Sequence, residues 1–420
     1  MNIRKKAGGV VGIVAMASIV ALAVSGCTTR GGGGDGGDGA AASPGITDES
    51  ITLGVSTPLS GPTAGPGTCT VAGLEAYMGA VNADGGIEFG DGVTRTVEIN
   101  TYDDTYDPQK ALANFQQMVS DDVFAATSGL GTPTNRAWRE AAIDEEFPQV
   151  LIMTGDPLFS DQEESPWQLG FVPIYQNEGA AFGELLAASD ADHKVAILSQ
   201  NDDYGAGYVE GFKEAIEGAD NIEVVGELTY EATDTSVDAQ LTELAATGAD
   251  VFFNAMSITP LVISSLQKAQ QIGWLPSWFL PSNTSSPVAI LEPGGATAFP
   301  GVYSVSFSKA PQSPAFAEDE DVVKFLSDLK EYANYPDMPA FPHCMWSYMI
   351  GATLEQAFQN MEEPTRDSFM EALRDISDFQ APLMLEGTVV NTTEDGQPAV
   401  STVIVQKYNG TGYAPAETFG

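Results

Sequence analysis

Basic residues are scarce in this sequence. Only 17 Lys and Arg stand against 58 Asp and Glu, which gives a formal net charge of −41. Nucleic-acid binding depends on Lys and Arg at phosphates, so this balance argues against a nucleic-acid partner. The acidic excess is typical either of proteins from saline habitats or of a highly soluble surface. Neither interpretation identifies a ligand.

Histidine and cysteine are also few, with two and three copies. His193 and His343 do not stand in a metal-ligand spacing, and neither Cys69 nor Cys344 belongs to a CxxC pair. The acidic run at residues 103–107 lacks the glycine and the later glutamate of a calcium loop. The sequence therefore predicts no metal site and no cofactor.

Catalytic motifs are missing as well. The sequence contains no P-loop, no G-x-S-x-G nucleophile elbow and no dinucleotide-binding glycine pattern after a strand. Pairs of carboxylates are frequent in so acidic a chain, so their proximity in sequence carries no weight for acid–base catalysis. We therefore expect a binding protein and not an enzyme.

Long apolar runs are confined to the beginning of the chain. Basic residues at positions 4–6 precede an uncharged stretch at 7–24, which is the layout of a secretory signal. The small residues before Cys27 resemble a bacterial lipobox, in which the cysteine is acylated and becomes the first residue after cleavage. The alternative is an uncleaved membrane anchor, for which this stretch is barely long enough. We expect residues 1–26 to be removed and Cys27 to anchor the protein to the outer face of the cell membrane.

The mature chain begins with a glycine-rich segment. Residues 27–45 cannot bury enough apolar surface to become ordered, so we expect a flexible tether. The rest is too long for one core, which favours two lobes. Cys69 and Cys344 remain as an even pair in an oxidising compartment. They form either a disulfide or two unpaired buried thiols.

Strand and helix patterns alternate along most of the remaining chain. The first set predicts strands at residues 51–55, 97–102, 124–127 and 150–153, with helices at 71–81, 108–118 and 135–143. The second set predicts strands at 194–198, 223–228, 249–254 and 278–280, with helices at 206–216, 237–246 and up to residue 271. This alternation is typical of parallel sheets covered on both faces, and so predicts two doubly wound α/β lobes.

Two turn signals mark the C-terminal part. Asp395-Gly396 lies between the apolar segments 388–390 and 400–407 and predicts a β-hairpin. Asn409-Gly410 predicts a second turn. We expect the chain to change here from strand–helix alternation to hairpins.

Four short segments point to a family. They read ITLGVSTPLSGP at 51–62, NADGGI at 82–87, YDDTYDPQKA at 102–111 and DYGAG at 203–207. Each resembles a segment of the leucine/isoleucine/valine-binding proteins, and four in the same order make a specific match. The chain is therefore similar to type I periplasmic binding proteins of the branched-chain amino acid transporter family.

The resemblance implies two α/β lobes joined by a three-crossover hinge, with the ligand held in the cleft between them. It implies the following segments: 46–172 as the first part of lobe 1, 173–300 as the first part of lobe 2, 301–386 as the second part of lobe 1, and 387–420 as the tail of lobe 2 with the last crossover. Closure of the hinge is then expected to bury the ligand.

In lobe 1 the resemblance implies ligand contacts at Leu130, Gly131, Thr132, Gly155 and Asp156. The loop that begins at Leu130 meets the ligand's carboxylate in the family, and Gly131 occupies a family serine position. Thr132 is either a ligand contact or a helix cap. Asp156 stands where the family has small residues, so it either repels a carboxylate or recruits a cation.

In lobe 2 the resemblance implies contacts at Tyr204, Met256 and Asn283. Tyr204 matches a family tyrosine, although packing beside the next glycine is an alternative role. Asn283 falls where the family has a glutamate that holds the ligand's amino group, and the family's aromatic residue near Met256 is absent. An amide cannot neutralise an ammonium group. The ligand therefore either lacks an α-amino group or takes its counter-charge from Asp156.

The function implied by the resemblance is solute capture for an ABC uptake transporter. The expected ligand is a branched-chain amino acid, an amide or a small carboxylic acid. The expected partners are a membrane permease and its ATPase subunits, and we expect the binding protein itself to be a monomer. A sensor lipoprotein of the same fold, which signals to a membrane receptor, is the alternative.

Overall fold

The first of two sheets uses strands from the first part of the chain. The computed structural model describes residues 41–335 and 338–420. The strands of this sheet are β1 (Ser50–Thr57), β2 (Ile87–Glu88), β3 (Thr94–Asp103), β4 (Ala125–Thr127), β5 (Gln149–Ile152) and β6 (Gln168–Gly170). Their order is β2-β3-β1-β4-β5-β6, and all pairings are parallel except that of the short edge strand β2 with β3.

The second sheet begins with a new strand–helix alternation. Its strands are β7 (His193–Gln200), β8 (Ile222–Tyr230), β9 (Val251–Ala255), β10 (Ser277–Phe279), β11 (Val302–Ser306), β12 (Ile404–Tyr408) and β13 (Tyr413–Pro415). Their order is β13-β12-β11-β10-β9-β7-β8. Strands β7 to β11 pair in parallel, whereas β12 and β13 are antiparallel.

Helices connect the strands and cover the sheets. They are α1 (Ala64–Ala83), α2 (Pro108–Ser120), α3 (Thr132–Arg136), α4 (Arg139–Asp144), α5 (Tyr175–Ala187), α6 (Asp203–Ala215), α7 (Asp238–Ala246), α8 (Thr259–Gln271), α9 (Glu292–Gly294), α10 (Glu320–Glu331), α11 (His343–Asn360) and α12 (Arg366–Leu373). Within the described ranges, none of the helices is both long and apolar enough to span a bilayer. The predicted signal at 1–26 and the predicted lipid site Cys27 lie outside the described residues.

Local side chains fix where the helices beside the cleft begin. Asp107 caps α2, since its carboxylate accepts hydrogen bonds from the backbone N–H groups of Gln109 and Lys110. Pro108 then occupies the first turn, where its missing N–H costs nothing. Asp202 caps α6 by accepting from the N–H of Gly205 at 3.3 Å. These caps set the direction of the chain as it leaves the sheet.

Each sheet carries apolar packing on both faces. In the first sheet Ala125 belongs to one core cluster and its neighbour Ala126 to another. In the second sheet Phe252 and Phe253 divide in the same way. Successive side chains of a strand point to opposite faces, so both sheets are buried on both sides. The prediction of two doubly wound α/β lobes is confirmed.

The chain passes between the two lobes at three places. Apolar residues that pack in lobe 1 are followed within a few positions by residues that pack in lobe 2, or the reverse. The pairs that mark the crossovers are Val172 and Tyr175, Val305 and Phe307, and Val400 and Val403. Despite these crossings, Ala40–Gly420 forms one compact unit.

The segment boundaries differ from those expected. Strand β11 (302–306) pairs with β10 and β12 in the second sheet, although a return to lobe 1 is expected from residue 301. The backbone N–H groups of Ala399 and Val400 donate to the carbonyls of Gly170 and Phe171 in lobe 1. The chain therefore stays on lobe 1 well beyond residue 387 and reaches the second sheet only at β12.

The hairpin predicted at Asp395-Gly396 does not form. One backbone hydrogen bond, from the N–H of Asn391 to the carbonyl of Ala399, joins the two flanking segments. Their other bonds go elsewhere: Val390 bridges to Phe379, and residues 399 and 400 donate to the first crossover. The hairpin of the C-terminal part is instead β12–β13 around the second predicted turn, where the N–H of Asn409 donates to Gly412 at 2.9 Å. Tertiary partners for the flanking segments outweighed the local turn signal at Asp395.

Candidate functional site

A cavity lies between the two lobes. Its cavity volume is about 30 Å³, within a cleft of about 400 Å³ that includes space open to solvent. Lobe 1 contributes Thr63, Pro66, Tyr106, Leu130, Gly131, Met153 and His343, and lobe 2 contributes Tyr175, Tyr204, Ser257 and Asn283. Four of these were predicted from the sequence, namely Leu130, Gly131, Tyr204 and Asn283.

The cavity lies beyond the carboxyl ends of the parallel strands. Leu130 follows β4, Met153 follows β5, Ser257 follows β9 and Asn283 follows β10. In open α/β sheets this edge is where ligands bind, because the loops there converge while the strands hold them rigid. Two such edges face each other here, so a ligand in the cavity would touch both lobes.

Thr132 belongs to a buried cluster of hydroxyl groups. Its Oγ1 lies 2.8 Å from Thr154 Oγ1 and 2.9 Å from the hydroxyl of Tyr175, and those two groups are 3.1 Å apart. Thr132 makes no capping hydrogen bond at α3, whose N-cap is Gly131. The cluster links the loops after β4 and β5 to the first residue of α5. It thereby fixes the ring of Tyr175 at the cavity wall.

Glycines allow aromatic rings to approach the cleft closely. Gly131 has φ 103°, and a Cβ there would lie 2.5 Å from Cε2 of Tyr106. At Gly155 a Cβ would lie 2.4 Å from the carbonyl oxygen of Pro173 and 2.7 Å from the ring of Tyr175. Gly155 does not line the cavity, but it lets the first crossover pass directly behind it. The glycine in place of the family serine is thus required by the backbone and by Tyr106.

Tyr204 lines the cavity and also packs within lobe 2. Its hydroxyl donates to Asn283 Oδ1 at 3.1 Å and lies 3.4 Å from the carbonyl oxygen of Met256. Its ring packs edge-on against Tyr175, with centroids 4.9 Å apart. Met256 itself is buried in the second lobe and meets this network only through its backbone. Tyr204 therefore orients Asn283 toward the cavity wall while it packs beside Tyr175.

Asp156 is paired with an arginine that also reaches lobe 2. Its side chain is only 2 % exposed and accepts two hydrogen bonds from Arg136, through Nε to Oδ2 and through Nη2 to Oδ1. Nη1 of Arg136 lies 2.8 Å from Oδ2 of Asp203 at the start of α6. These carboxylates raise the pKa of Arg136 above its usual value, chiefly through the hydrogen bond with Asp156. The charge of Asp156 is therefore neutralised within the protein.

A buried carboxylate lies behind the loop that carries Asn283. Glu178 is 1 % exposed. It accepts hydrogen bonds from the backbone N–H of Ser282 at 3.0 Å, from its hydroxyl at 2.7 Å, and from the hydroxyl of Tyr208 at 2.9 Å. Burial raises the pKa of Glu178 to about 7, which these hydrogen bonds oppose. Glu178 thus ties α5 to the turn at Ser282–Thr284, in which the next residue, Asn283, lines the cavity.

Two lining residues carry polar atoms without partners. His343 is 2 % exposed and Thr63 is 5 % exposed. Nδ1 of His343 and Oγ1 of Thr63 are buried and bond to no other described residue. Burial lowers the pKa of His343 to about 3, so its imidazole is neutral at physiological pH. Sequence reasoning missed both residues. His343 in particular reaches the cleft only through the packing of α11 on α1.

A disulfide holds these two residues near each other. Cys69 on α1 and Cys344 on α11 are joined, with their Cα atoms 4.6 Å apart. Thr63 directly precedes α1, and His343 is the first residue of α11. The disulfide therefore fixes one wall of the cavity across 275 residues of sequence.

The acidic run considered for calcium has other partners. The carboxylate of Asp103 accepts from the N–H of Leu59, the hydroxyl of Ser60 and the N–H of Thr105. Across the described residues, no group of three His, Cys, Asp or Glu side chains could hold a metal ion. The run stabilises the turn between β3 and α2, from which Tyr106 reaches the cavity.

Comparisons with known proteins agree with this architecture. The family model described as "Periplasmic binding protein" matches residues 50–412. A Leu/Ile/Val-binding protein homolog 3 of Brucella melitensis is 28% identical over 210 residues, which are 48% of this chain and 53% of the relative. A leucine-, isoleucine-, valine-, threonine- and alanine-binding protein of Pseudomonas aeruginosa is 24% identical over 235 residues, or 55% and 60% of the two chains. The matched part of the chain thus spans little more than half the length of either relative.

A solved structure extends the likeness to nearly the whole chain. The fatty acid ABC transporter substrate-binding protein from Thermomonospora curvata superposes with a TM-score of 0.75 and 21% sequence identity, covering 90% of this chain and 95% of that one. At this identity the likeness concerns the fold. Since the family model covers most of the sequence, the chain belongs to the periplasmic binding protein family, whose members bind solutes and are not enzymes.

Proposed function

We propose that the protein is the extracytoplasmic substrate-binding subunit of an ABC uptake transporter, which captures a small organic solute by closing its two lobes. The observation that carries the proposal is the cavity between the lobes, which takes its lining from both of them. The Pseudomonas relative, named for binding leucine, isoleucine, valine, threonine and alanine, supports a small organic ligand.

Closure follows from the way the cavity is divided. A solute bound between Leu130 and Gly131 on one side and Tyr204 and Asn283 on the other would join the lobes, because each lobe supplies part of its surface. Three short crossovers form the hinge, and they permit rotation without disturbing either core. Ligand binding would then shift the population toward the closed state.

The remaining predicted site residues support the cavity wall in this proposal. Thr132 and Gly155 position Tyr175, and the carbonyl of Met256 helps to position Tyr204. Asp156 acts through Arg136 rather than on the ligand, because its carboxylate is already paired. A direct role of Asp156 as counter-charge for an amino group is therefore not part of the proposal.

The proposed partners are a membrane permease with its ATPase subunits, and the membrane through a lipid on Cys27. A monomer suffices, since one chain supplies both walls of the cavity. Replacement of Cys27 by serine is expected to release the protein from the membrane fraction. Retention of the Cys27→Ser variant in that fraction would argue for an uncleaved anchor instead.

The experiment that tests solute capture is a thermal-shift screen of residues 40–420 against amino acids, amides and small carboxylic acids. A ligand that binds only the folded state adds about 2.7 kcal/mol at a hundred times its dissociation constant. We expect at least one such solute to raise the melting temperature and to reduce the radius of gyration in solution scattering. Stabilisation without compaction would count against closure.

Uptake measurements separate transport from sensing, the alternative function. Cells that lack the protein should fail to accumulate the labelled solute if it serves a transporter. Normal accumulation together with a lost response to the solute would favour a sensor that signals to a membrane receptor. No observation on the fold itself favours the sensor.

A further inference from the structure

We infer that the ligand is an uncharged, hydrogen-bonding solute typified by a primary carboxamide, rather than an amino acid. The inference rests on the proposed function, since it names the substrate class of the same cavity. It comes from three features: the absence of charge on the lining, the engagement of nearby charged groups, and the unpaired polar atoms in the wall.

The residues that line the cavity carry no charge at neutral pH. Those drawn from the described part of the chain are hydroxyl, amide, apolar and glycine residues together with His343, whose burial keeps the imidazole neutral. An ammonium group placed there would lose its hydration without meeting a counter-charge, which is costly in a closed site. A cationic or zwitterionic ligand is therefore disfavoured.

Four carboxylates close to the lining already have partners. Asp104 accepts from the N–H of the lining residue Tyr106 at 2.8 Å and from the hydroxyl of Ser56 at 3.1 Å. Asp156 is bound by Arg136, and Glu178 accepts three hydrogen bonds from Ser282 and Tyr208. Asp202, beside Tyr204, accepts from Nε2 of Gln200 at 2.6 Å and caps α6. None of the four is free to turn toward an amino group without leaving a donor unpaired.

An anionic ligand finds no cation in the wall. Arg136 is the charged side chain that bridges the cleft, and it lies between the carboxylates of Asp156 and Asp203. The whole chain carries a formal charge of −41, which repels anions at a distance. A free carboxylate is therefore disfavoured as well.

The wall offers both donors and acceptors to a neutral group. Oγ1 of Thr63 and Nδ1 of His343 are buried and unpaired, and the neutral imidazole of His343 has one donor and one acceptor nitrogen. Oδ1 of Asn283 accepts from Tyr204, while its Nδ2 group donates to no described residue. A primary carboxamide has two N–H donors and a carbonyl acceptor, so it can satisfy such a mixed set.

Three probes with one carbon skeleton test the charge preference: isobutyramide, isobutyrate and isobutylamine. Binding to residues 40–420 would be measured by calorimetry at pH 7.5, with valine as the amino-acid comparison. We expect isobutyramide to bind at least about tenfold more tightly than the other three. Tighter binding of valine, isobutyrate or isobutylamine would overturn the substrate class and leave the solute-binding function standing. If neither these probes nor any solute of the full screen bound, both the substrate class and the solute-binding function would be overturned.

The variant Asn283→Asp tests the same idea from the side of the protein. It keeps the acceptor for Tyr204 but adds a negative charge to the wall. Isobutyramide binding should weaken about tenfold, and isobutylamine binding should appear. Asn360→Asp, an exposed position at the end of α11, is the matched control and should leave both affinities unchanged. Unchanged affinities in Asn283→Asp would contradict the inference.

His343→Leu removes the unpaired imidazole and is expected to weaken isobutyramide binding, with recovery in His343→Gln, which restores a donor and an acceptor. Equal loss in both variants would argue for a purely structural histidine. Circular dichroism and the melting temperature without ligand report whether each variant folds.

Discussion

Gly131 shows how a single backbone angle shapes the cleft. Its φ of 103° lies in a region that L side chains rarely adopt, and the ring of Tyr106 and the hydroxyl of Thr134 occupy the space of a Cβ. A resemblance to a family with serine at this position could not reveal that requirement. The ring that excludes the side chain comes from a different loop, between β3 and α2.

Gly131→Ser is expected to destabilise the protein by about 1–3 kcal/mol and to reduce ligand affinity, because Tyr106 must move. Urea unfolding measures the first effect and calorimetry with the ligand found by the screen measures the second. Gly218→Ser is the control, since Gly218 has φ 79° but no atom near its missing Cβ. The control should lose stability without losing affinity. Equal affinity in both variants would refute a role for the Gly131 loop.

Glu178 makes the stability of the protein depend on pH. Burial raises its pKa from 4.5 to about 7. Between these two pH values the folded protein therefore keeps a proton on Glu178 that the unfolded chain has released. The stability contributed by this proton is complete below pH 4.5 and is lost as the pH rises through about 7. Glu178→Gln should therefore gain up to about 3 kcal/mol relative to wild type between these limits.

Urea unfolding of both proteins at several pH values measures that difference. His343, whose pKa is lowered to about 3, has the opposite effect below its ordinary value of 6.5. It is present in both proteins and cancels in the comparison. A difference that does not change with pH would mean that Glu178 remains ionised in the folded protein.

At the scale of elements, the disulfide between α1 and α11 is the longest covalent constraint among the described residues. It closes a loop of 275 residues, so it restricts the unfolded chain strongly. The variant with Cys69→Ala and Cys344→Ala should lose about 2–5 kcal/mol of unfolding free energy. Ligand affinity should fall as well, because Thr63 and His343 lose their mutual constraint.

Reduction of the wild-type protein supplies the control for that variant. Dithiothreitol should lower the melting temperature of the wild type and leave that of the double variant unchanged. A count of free thiols in the unfolded, unreduced wild type should give none from this pair. Two reactive thiols would show that the bond does not form in the isolated protein.

Elements could be predicted from the sequence where the signal was local. Asp107 and Pro108 correctly predict the start of α2, and the alternation of strand and helix patterns predicts both sheets. The hairpin at Asp395 failed because its flanking residues bond to distant segments. Turn residues favour a backbone conformation over only a few positions. More extensive hydrogen bonding to distant segments overrides that local preference.

At the scale of the whole molecule, Arg136 connects the two lobes. Its bond to Asp156 lies within lobe 1 and would persist on opening, whereas its bond to Asp203 crosses the cleft. Asp203 is 54% exposed, and such a pair contributes about 0.2–1 kcal/mol. Asp203→Asn should therefore weaken ligand binding by no more than about fivefold and leave the fold intact.

Arg136→Gln is the matched comparison, because it also leaves the buried Asp156 without its partner. Its unfolding free energy should fall by about 3 kcal/mol, unlike that of Asp203→Asn. Affinity measured at low and high salt should vary less in Asp203→Asn than in wild type. Identical salt dependence would exclude a contribution of this pair to closure.

The sequence by itself determined the fold class and the two lobes, and it pointed to four of the eleven residues that line the cleft. Those features depend on hydrophobic periodicity, on caps and on motifs that are local in the chain, such as the loop at Leu130 and the segment at Tyr204. Only the tertiary structure decided that Arg136 neutralises Asp156 and that His343 and Thr63 face one cavity. It also decided that β11 belongs to lobe 2. These facts join residues far apart in sequence, and such contacts depend on how the packed helices and sheets meet rather than on any local preference.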